Sequence, residues 1–128
     1  MCQLVSIDTN YGEKIEVAEI KRNYIENIIS SASQCKAISE IILFGSALEE
    51  RCCEQSDIDI VIVSKYAINI LCKNKGFSKF VEQIYSLDFA QEYDRLYFNS
   101  LDEIEKKMDS VPICKELVQK GKVIYRRI

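Results

Sequence analysis

The chain contains no histidine and no Cys-x-x-Cys motif, although it carries six cysteines. Structural zinc sites are built from cysteine and histidine at short spacing, so we do not expect one here. The cysteines, including the adjacent pair Cys52 and Cys53, are expected to be reduced thiols of a cytoplasmic protein. A redox switch at this pair is the alternative.

Long apolar runs and long basic runs are also missing. No apolar stretch approaches the roughly 18 residues needed to cross a bilayer, and the first residues do not resemble a signal peptide. The formal net charge is −3, which argues against dedicated nucleic-acid binding, because nucleic-acid binders normally carry a basic face. The C-terminal segment is locally basic, and we interpret it as a solvated surface, with a phosphate or partner contact as the alternative: Lys115, Lys120, Lys122, Arg126 and Arg127.

Internal repeats, low-complexity segments and linkers are absent from the 128 residues. The composition, 48% hydrophobic and 29% charged, is ordinary for a globular protein. A chain of this size can bury a single sizeable core, so residues 1–128 are predicted to form one domain.

The apolar pattern predicts helices and strands in mixed order. Val17, Ile20, Tyr24 and Ile28 recur at helical spacing, which predicts an amphipathic helix over 13–33. Two strands, 38–44 and 58–63, are apolar at nearly every position, as in a sheet covered on both faces. The other predicted elements are helices at 47–51, 67–72, 78–85, 101–108 and 112–119 and strands at 92–98 and 123–125. This order indicates an α/β or α+β fold built on a mixed sheet.

Two aspartates, Asp57 and Asp59, accompany the second apolar run. Residues two apart on a strand share a face, and their Cα atoms lie about 6.6 Å apart. Like charges so close in a half-buried strand are unfavourable unless a cation sits between them. The pair therefore predicts a divalent metal site, shared with a phosphate chain.

The first apolar run ends in Gly45-Ser46. Glycine has no side chain, so a phosphate can approach its backbone closely. Ser46 offers a hydroxyl and a backbone N–H at the start of the next turn, where a helix N-terminus favours anions.

Together, Gly45-Ser46, a spacer of ten residues, and Asp57-x-Asp59 resemble the signature of the minimal nucleotidyltransferases. These form the small prokaryotic branch of the DNA polymerase beta-like superfamily. The closing helix, glycine and strand predicted over 112–125 are similar to that family too. The resemblance implies a polymerase beta-like core, a mixed β-sheet flanked by helices, with nucleotide bound by Gly45, Ser46 and Ser56.

The family places a third carboxylate on a neighbouring strand, where it completes the metal site. Asp94 fits best, because it lies in the strand-like run 93–98, and Asp88 and Glu92 remain alternatives. The resemblance thus implies that Asp57, Asp59 and Asp94 are catalytic and bind Mg²⁺ or Mn²⁺.

One departure concerns the triphosphate. Many relatives carry a basic residue directly after Gly-Ser, whereas here Ala47 follows. The candidate substitutes are Arg51, Lys65 and Arg95.

The function implied by the resemblance is metal-dependent transfer of a nucleoside monophosphate, AMP from ATP, to an acceptor hydroxyl. Small members resemble the antitoxin halves of toxin–antitoxin pairs, in which the acceptor is a tyrosine of a small helical HEPN toxin. Two alternatives stay open: transfer to a small molecule such as an aminoglycoside, and a non-catalytic partner-binding module with a vestigial nucleotide site.

Overall fold

The structure, a computed structural model, describes residues 1–128. It contains six strands and five α-helices, and none of the helices has the length and apolarity needed to cross a membrane. The strands are β1 (Leu4–Asp8), β2 (Lys14–Ala18), β3 (Glu40–Phe44), β4 (Ile58–Val63), β5 (Tyr93–Phe98) and β6 (Lys122–Arg126). The helices are α1 (Arg22–Ala32), α2 (Ile68–Leu71), α3 (Lys75–Ser86), α4 (Leu101–Lys106) and α5 (Pro112–Lys120).

Four of the strands form a mixed sheet in the order β5-β4-β3-β6. The β4–β5 pairing is parallel, and β3 pairs with both β4 and β6 in antiparallel fashion. The prediction of a mixed sheet with flanking helices is therefore confirmed. The buried strand predicted over 58–63 is β4 itself.

Apart from Glu40 and Asp59, the two central strands are apolar, because both faces of the sheet are covered. Ile60 and Ile62 of β4 enter a large core that also contains residues of α1, α3 and the β1–β2 hairpin. Val61 and Val63 enter a smaller core against α4 and α5. Since Asp59 shares the parity of Val61, its side chain belongs to the α4–α5 face.

The helix predicted over 13–33 is wrong in its first third. Lys14–Ala18 is instead β2, which pairs antiparallel with β1, and α1 starts only at Arg22. The segment KIEVA alternates polar and apolar residues, but of its apolar residues only Val17 fell on the predicted helical stripe, and five residues are too few to distinguish the two periods. Ile20, placed on that stripe by the sequence, is 41% exposed.

Other boundaries also differ from the predictions. The helix predicted over 78–85 is α3, which begins earlier, at Lys75, because Asn74 caps it by accepting a hydrogen bond from the Phe77 N–H. The helix predicted over 47–51 is a 3₁₀ turn at Gly45–Leu48, too short to carry a substantial dipole. Helix α4 ends at Lys106 rather than 108.

All six cysteines are free. Within the pair that suggested a redox switch, Cys52 is buried and Cys53 is exposed.

Candidate active site

Strand register brings three elements of the sequence pattern to one end of the sheet. Phe44, the last residue of β3, is opposite Asp59, so Gly45 follows at the same level. In the parallel β4–β5 pair, Asp59 is aligned with Asp94. The glycine turn, the second aspartate of the pair and Asp94 are therefore neighbours across three adjacent strands.

Asp94 is aligned with Asp59 in this register, and its carboxyl group contacts that of Asp59 through a side-chain hydrogen bond. Burial, this contact and the nearby charges of Asp94, Asp57 and Glu116 raise the pKa of Asp59 to about 6. Burial is the largest of these causes, because it removes water from the charged form. Without a cation, the site is thus electrostatically unfavourable at neutral pH.

Gly45 is packed directly against this acid pair. Its φ is 75°, in the left-handed region, and a Cβ built on it would overlap Asp59 Oδ2 and lie 3.3 Å from Asp59 Cγ. A glycine is required here for two reasons, the backbone conformation and the close approach of the carboxylate.

We expect Gly45→Ala to destabilise the protein by about 2 kcal/mol, from left-handed strain and from displacement of the Asp59 carboxylate. Gly12→Ala is a matched control, because Gly12 also has a positive φ, 91°, but no atom within 4 Å of the added Cβ. Urea unfolding of both variants measures the difference. An equal loss of stability in the two variants would contradict the tight packing of Asp59 against Gly45.

The other predicted site residues are placed less tightly. Asp57 precedes β4, is exposed, and makes neither a hydrogen bond nor an ion pair, although its charge acts on Asp59. Ser46 is half-buried. The hydroxyl of Ser56 is used inside its own loop, where it accepts a hydrogen bond from the Cys53 N–H at 3.0 Å.

No set of three acidic or thiol side chains converges closely enough to hold a metal ion in this structure. The Asp59–Asp94 pair nevertheless fits one, because carboxylate oxygens are the ligands that Mg²⁺ prefers. A divalent cation would also relieve the repulsion between these two close carboxyl groups, one of which has a raised pKa.

The alternatives for the third acid lie elsewhere. Asp88 is in the turn after α3, where its carboxylate accepts hydrogen bonds from the Tyr24 hydroxyl and the Ala90 N–H, both at 2.9 Å. Glu92 is exposed and precedes β5. Asp94 is the acid that the register sets beside Asp59. It is itself exposed at the open end of β5, outside the apolar surroundings that the sequence suggested.

The basic residues proposed from sequence do not gather around the acids. Arg51 forms an exposed ion pair with Glu49, with Nε and Oε2 2.8 Å apart. Arg95 stacks over the Tyr85 ring, 5.9 Å from its centre. Lys65 lies beyond the other end of β4, over the Tyr66 ring.

Three other lysines line a cleft of about 640 Å³ that opens beside Gly45. They come from β2, the end of α5 and the start of β6: Lys14, Lys120 and Lys122. Lys14 is paired with Asp8, whereas Lys120 and Lys122 form no ion pair. Lys120 and Lys122 are two of the C-terminal residues for which a phosphate contact was the alternative interpretation.

The fold is similar to that of a solved structure described as a crystal structure of a toxin–antitoxin with AMP-PNP. The TM-score is 0.50 at 19% sequence identity, and the match covers 82% of this chain and 73% of the other. No curated protein sequence matches this chain.

The family follows from the sequence model described as Polymerase beta, Nucleotidyltransferase, which matches residues 26–128. This range includes the glycine turn, the aspartate pair and Asp94. The chain therefore belongs to this family and is a nucleotidyltransferase, which confirms the resemblance seen in the sequence.

Proposed function

We propose that the protein transfers AMP from ATP onto an acceptor hydroxyl, with Asp57, Asp59 and Asp94 as the ligands of Mg²⁺ or Mn²⁺. The observation that carries this proposal is the meeting of the Asp59 and Asp94 carboxyl groups beside Gly45 at one end of the sheet. The bound cation would neutralise the triphosphate oxygens and lower the pKa of the attacking hydroxyl.

The residues of the chain then have distinct tasks. The acceptor oxygen forms a bond to the α-phosphorus, the bond to the β-phosphate oxygen breaks, and pyrophosphate leaves. Asp94 would take the acceptor proton, which its position on the edge strand β5 supports. Gly45, on the other side of Asp59 from Asp94, would let its backbone approach the triphosphate closely.

The cleft beside Gly45 is the best candidate for the rest of the nucleotide. It lies on the side of Asp59 away from Asp94, because β3 and β6 follow β4 in the sheet. Lys120 and Lys122 could supply there the positive charge that is missing directly after Ser46.

For the acceptor, we propose a tyrosine hydroxyl on a small helical HEPN-type toxin, so that the protein acts as an antitoxin in the cytoplasm. Support comes from the family resemblance and from the similar fold of the toxin–antitoxin structure.

The rival function is a partner-binding module that retains the fold without catalysis. It is favoured by the absence of a base directly after Ser46, by the engagement of Arg51 with Glu49, and by the incomplete convergence of the three aspartates.

Thermal unfolding tests the nucleotide site first. Because ligands that bind only the folded state stabilise it, Mg²⁺ with ATP should raise the melting temperature more than either one alone. Asp59→Asn is the matched control and should lose this synergy. Absence of nucleotide binding in calorimetry at millimolar ATP with Mg²⁺ would exclude the enzymatic proposal.

Labelled ATP then separates the two functions. Incubation of the protein with α-labelled ATP, Mg²⁺ and the protein encoded next to it should label that protein on tyrosine. Tight binding between the two proteins without any transfer of label would favour the non-catalytic module.

A further inference from the structure

A buried lysine lies behind the candidate active site. Lys21 is 1% exposed and immediately precedes α1. Its Nζ donates hydrogen bonds to the Glu54 carbonyl at 3.0 Å and to Gln91 Oε1 at 2.5 Å, and it lies 5.7 Å from the centre of the Tyr24 ring. It forms no ion pair with any carboxylate.

Stability alone does not account for a lysine at this position. Transferring an ammonium group from water into the interior is costly, and hydrogen bonds to neutral acceptors, together with the charge of the nearby Asp88 carboxylate, offset this cost only in part. An apolar side chain of similar size is often as stable or more stable at such a position.

Lys21 determines the orientation of the Gln91 side-chain amide. An ammonium group can only donate, so Gln91 must turn its oxygen toward Lys21 and its nitrogen away. The nitrogen then donates to two backbone carbonyls, those of Ser56 at 3.2 Å and Glu92 at 2.8 Å. With Gln91 buried, this arrangement leaves none of its polar atoms unsatisfied.

These two carbonyl groups lie just before the strands β4 and β5, which carry Asp59 and Asp94. Ser56 is directly followed by Asp57, and Glu92 is two residues before Asp94. The same Glu92 carbonyl also accepts a hydrogen bond from the Ile58 N–H at 3.1 Å, at the point where the pairing of β4 with β5 begins. The network thus ties the start of β4 to the start of β5.

We propose that Lys21 is a positioning residue. Through Gln91 it sets the distance between the start of β4 and the start of β5, and hence the distance between the metal-binding aspartates. The proposal rests on the proposed function, in which these aspartates hold a divalent cation. Lys21 lies outside the residues 26–128 that match the family, so the family match assigns it no role.

The test compares Lys21→Met and Gln91→Met with the wild type and with Lys36→Met, a control at an exposed lysine. Mn²⁺ binding in the presence of ATP is measured by electron paramagnetic resonance. Both buried-site variants should bind Mn²⁺ about tenfold more weakly, since partners behind metal ligands typically contribute this much. Lys36→Met should bind as the wild type does.

Two further readouts separate positioning from a purely structural role. Hydrogen exchange at the Ile58 amide should accelerate in Lys21→Met while the melting temperature stays unchanged or rises. Transfer should show a lower kcat, which Lys21→Arg, retaining the donors, should partly restore.

The outcomes distinguish failure of this inference from failure of the proposed function. The proposed function, and the inference with it, would be overturned if the wild-type protein bound no Mn²⁺ in the presence of ATP. The same conclusion would follow if the wild type and the Asp59→Asn variant bound Mn²⁺ with equal affinity. The inference alone would be overturned if the wild type bound Mn²⁺ tightly through Asp59 and the Lys21→Met variant bound it with the same affinity. If Lys21→Met does not fold, the neutral Gln91→Met variant decides by the same measurement.

Discussion

Replacing Asp57 and Asp59 together by asparagine should abolish nucleotide transfer and leave the free protein at least as stable as the wild type. Asparagine keeps the size of the side chains but removes the charges that would hold the cation. We expect transfer to fall by on the order of a thousandfold or more, the scale seen when an electrostatic group of an active site is lost.

The gain in stability should depend on pH in a defined direction. The pKa of Asp59 is raised from 3.8 to about 6 in the folded protein. Between these values the folded state binds more protons than the unfolded one, so the contribution of Asp59 to stability falls as the pH rises from about 4 to 6. Above pH 6 the penalty is complete, and the asparagine variant avoids it.

The expected stabilisation is about 1 kcal/mol at pH 8, below the full value of the pKa shift, because solvent screens this half-buried group. This corresponds to a melting temperature about 3 °C higher. At pH 4 the two proteins should melt at nearly the same temperature. The matched control is Asp102→Asn, which removes an exposed charge from the start of α4.

Unfolding of the double variant at neutral pH would contradict this result. The two aspartates would then be structural, and the assignment of the site to them would be wrong. Mg²⁺ supplies an internal check, because it should raise the melting temperature of the wild type with ATP and leave that of the variant unchanged.

The second large effect is expected for Asp94→Ala, which should lower the rate of transfer by several orders of magnitude with only a modest change in ATP affinity. Asp94 lies on the edge strand β5, on the far side of Asp59 from Gly45 and the cleft. We therefore expect it to serve the attacking oxygen rather than the triphosphate. A loss confined to the rate is typical of an interaction made mainly in the transition state.

Single-turnover kinetics with labelled ATP, together with calorimetry of ATP binding, measures the two quantities separately. Glu92→Ala is the matched control, since Glu92 is an exposed acid two residues earlier in the chain. Normal turnover in Asp94→Ala with a large loss in Glu92→Ala or Asp88→Ala would move the third carboxylate to that residue.

Hydrophobic pattern alone predicted the centre of the sheet. Strand β4 and the closing segment of α5, Gly121 and β6 were recognisable from sequence, because an unbroken apolar run, Pro112 and Gly121 are local signals. A strand that is covered on both faces is apolar at nearly every position, so an unbroken apolar run predicts it. Proline at the first position of α5 and glycine after it are equally local signals.

The β1–β2 hairpin could not be recognised in this way. Its second strand is five residues long, too short to separate a period of two from a helical period. This segment is a strand because it pairs with β1. The turn between the two strands needs a positive φ at Gly12, which the sequence suggests only weakly. Asn10 in that turn is bonded to the backbone of Arg126 in β6, a contact distant in sequence.

The sequence by itself determined the chemistry of the candidate site, because Gly45, Asp57 and Asp59 lie in one short segment at a recognisable spacing. The sequence preferred Asp94 among three acids, and the parallel register of β4 and β5 sets that residue beside Asp59. Only the tertiary structure showed that packing of α5 brings Glu116 near Asp59 and that the hairpin closes the cleft lined by Lys120 and Lys122. These residues come from separate elements, and their proximity depends on the packing of whole strands and helices, which no local pattern encodes.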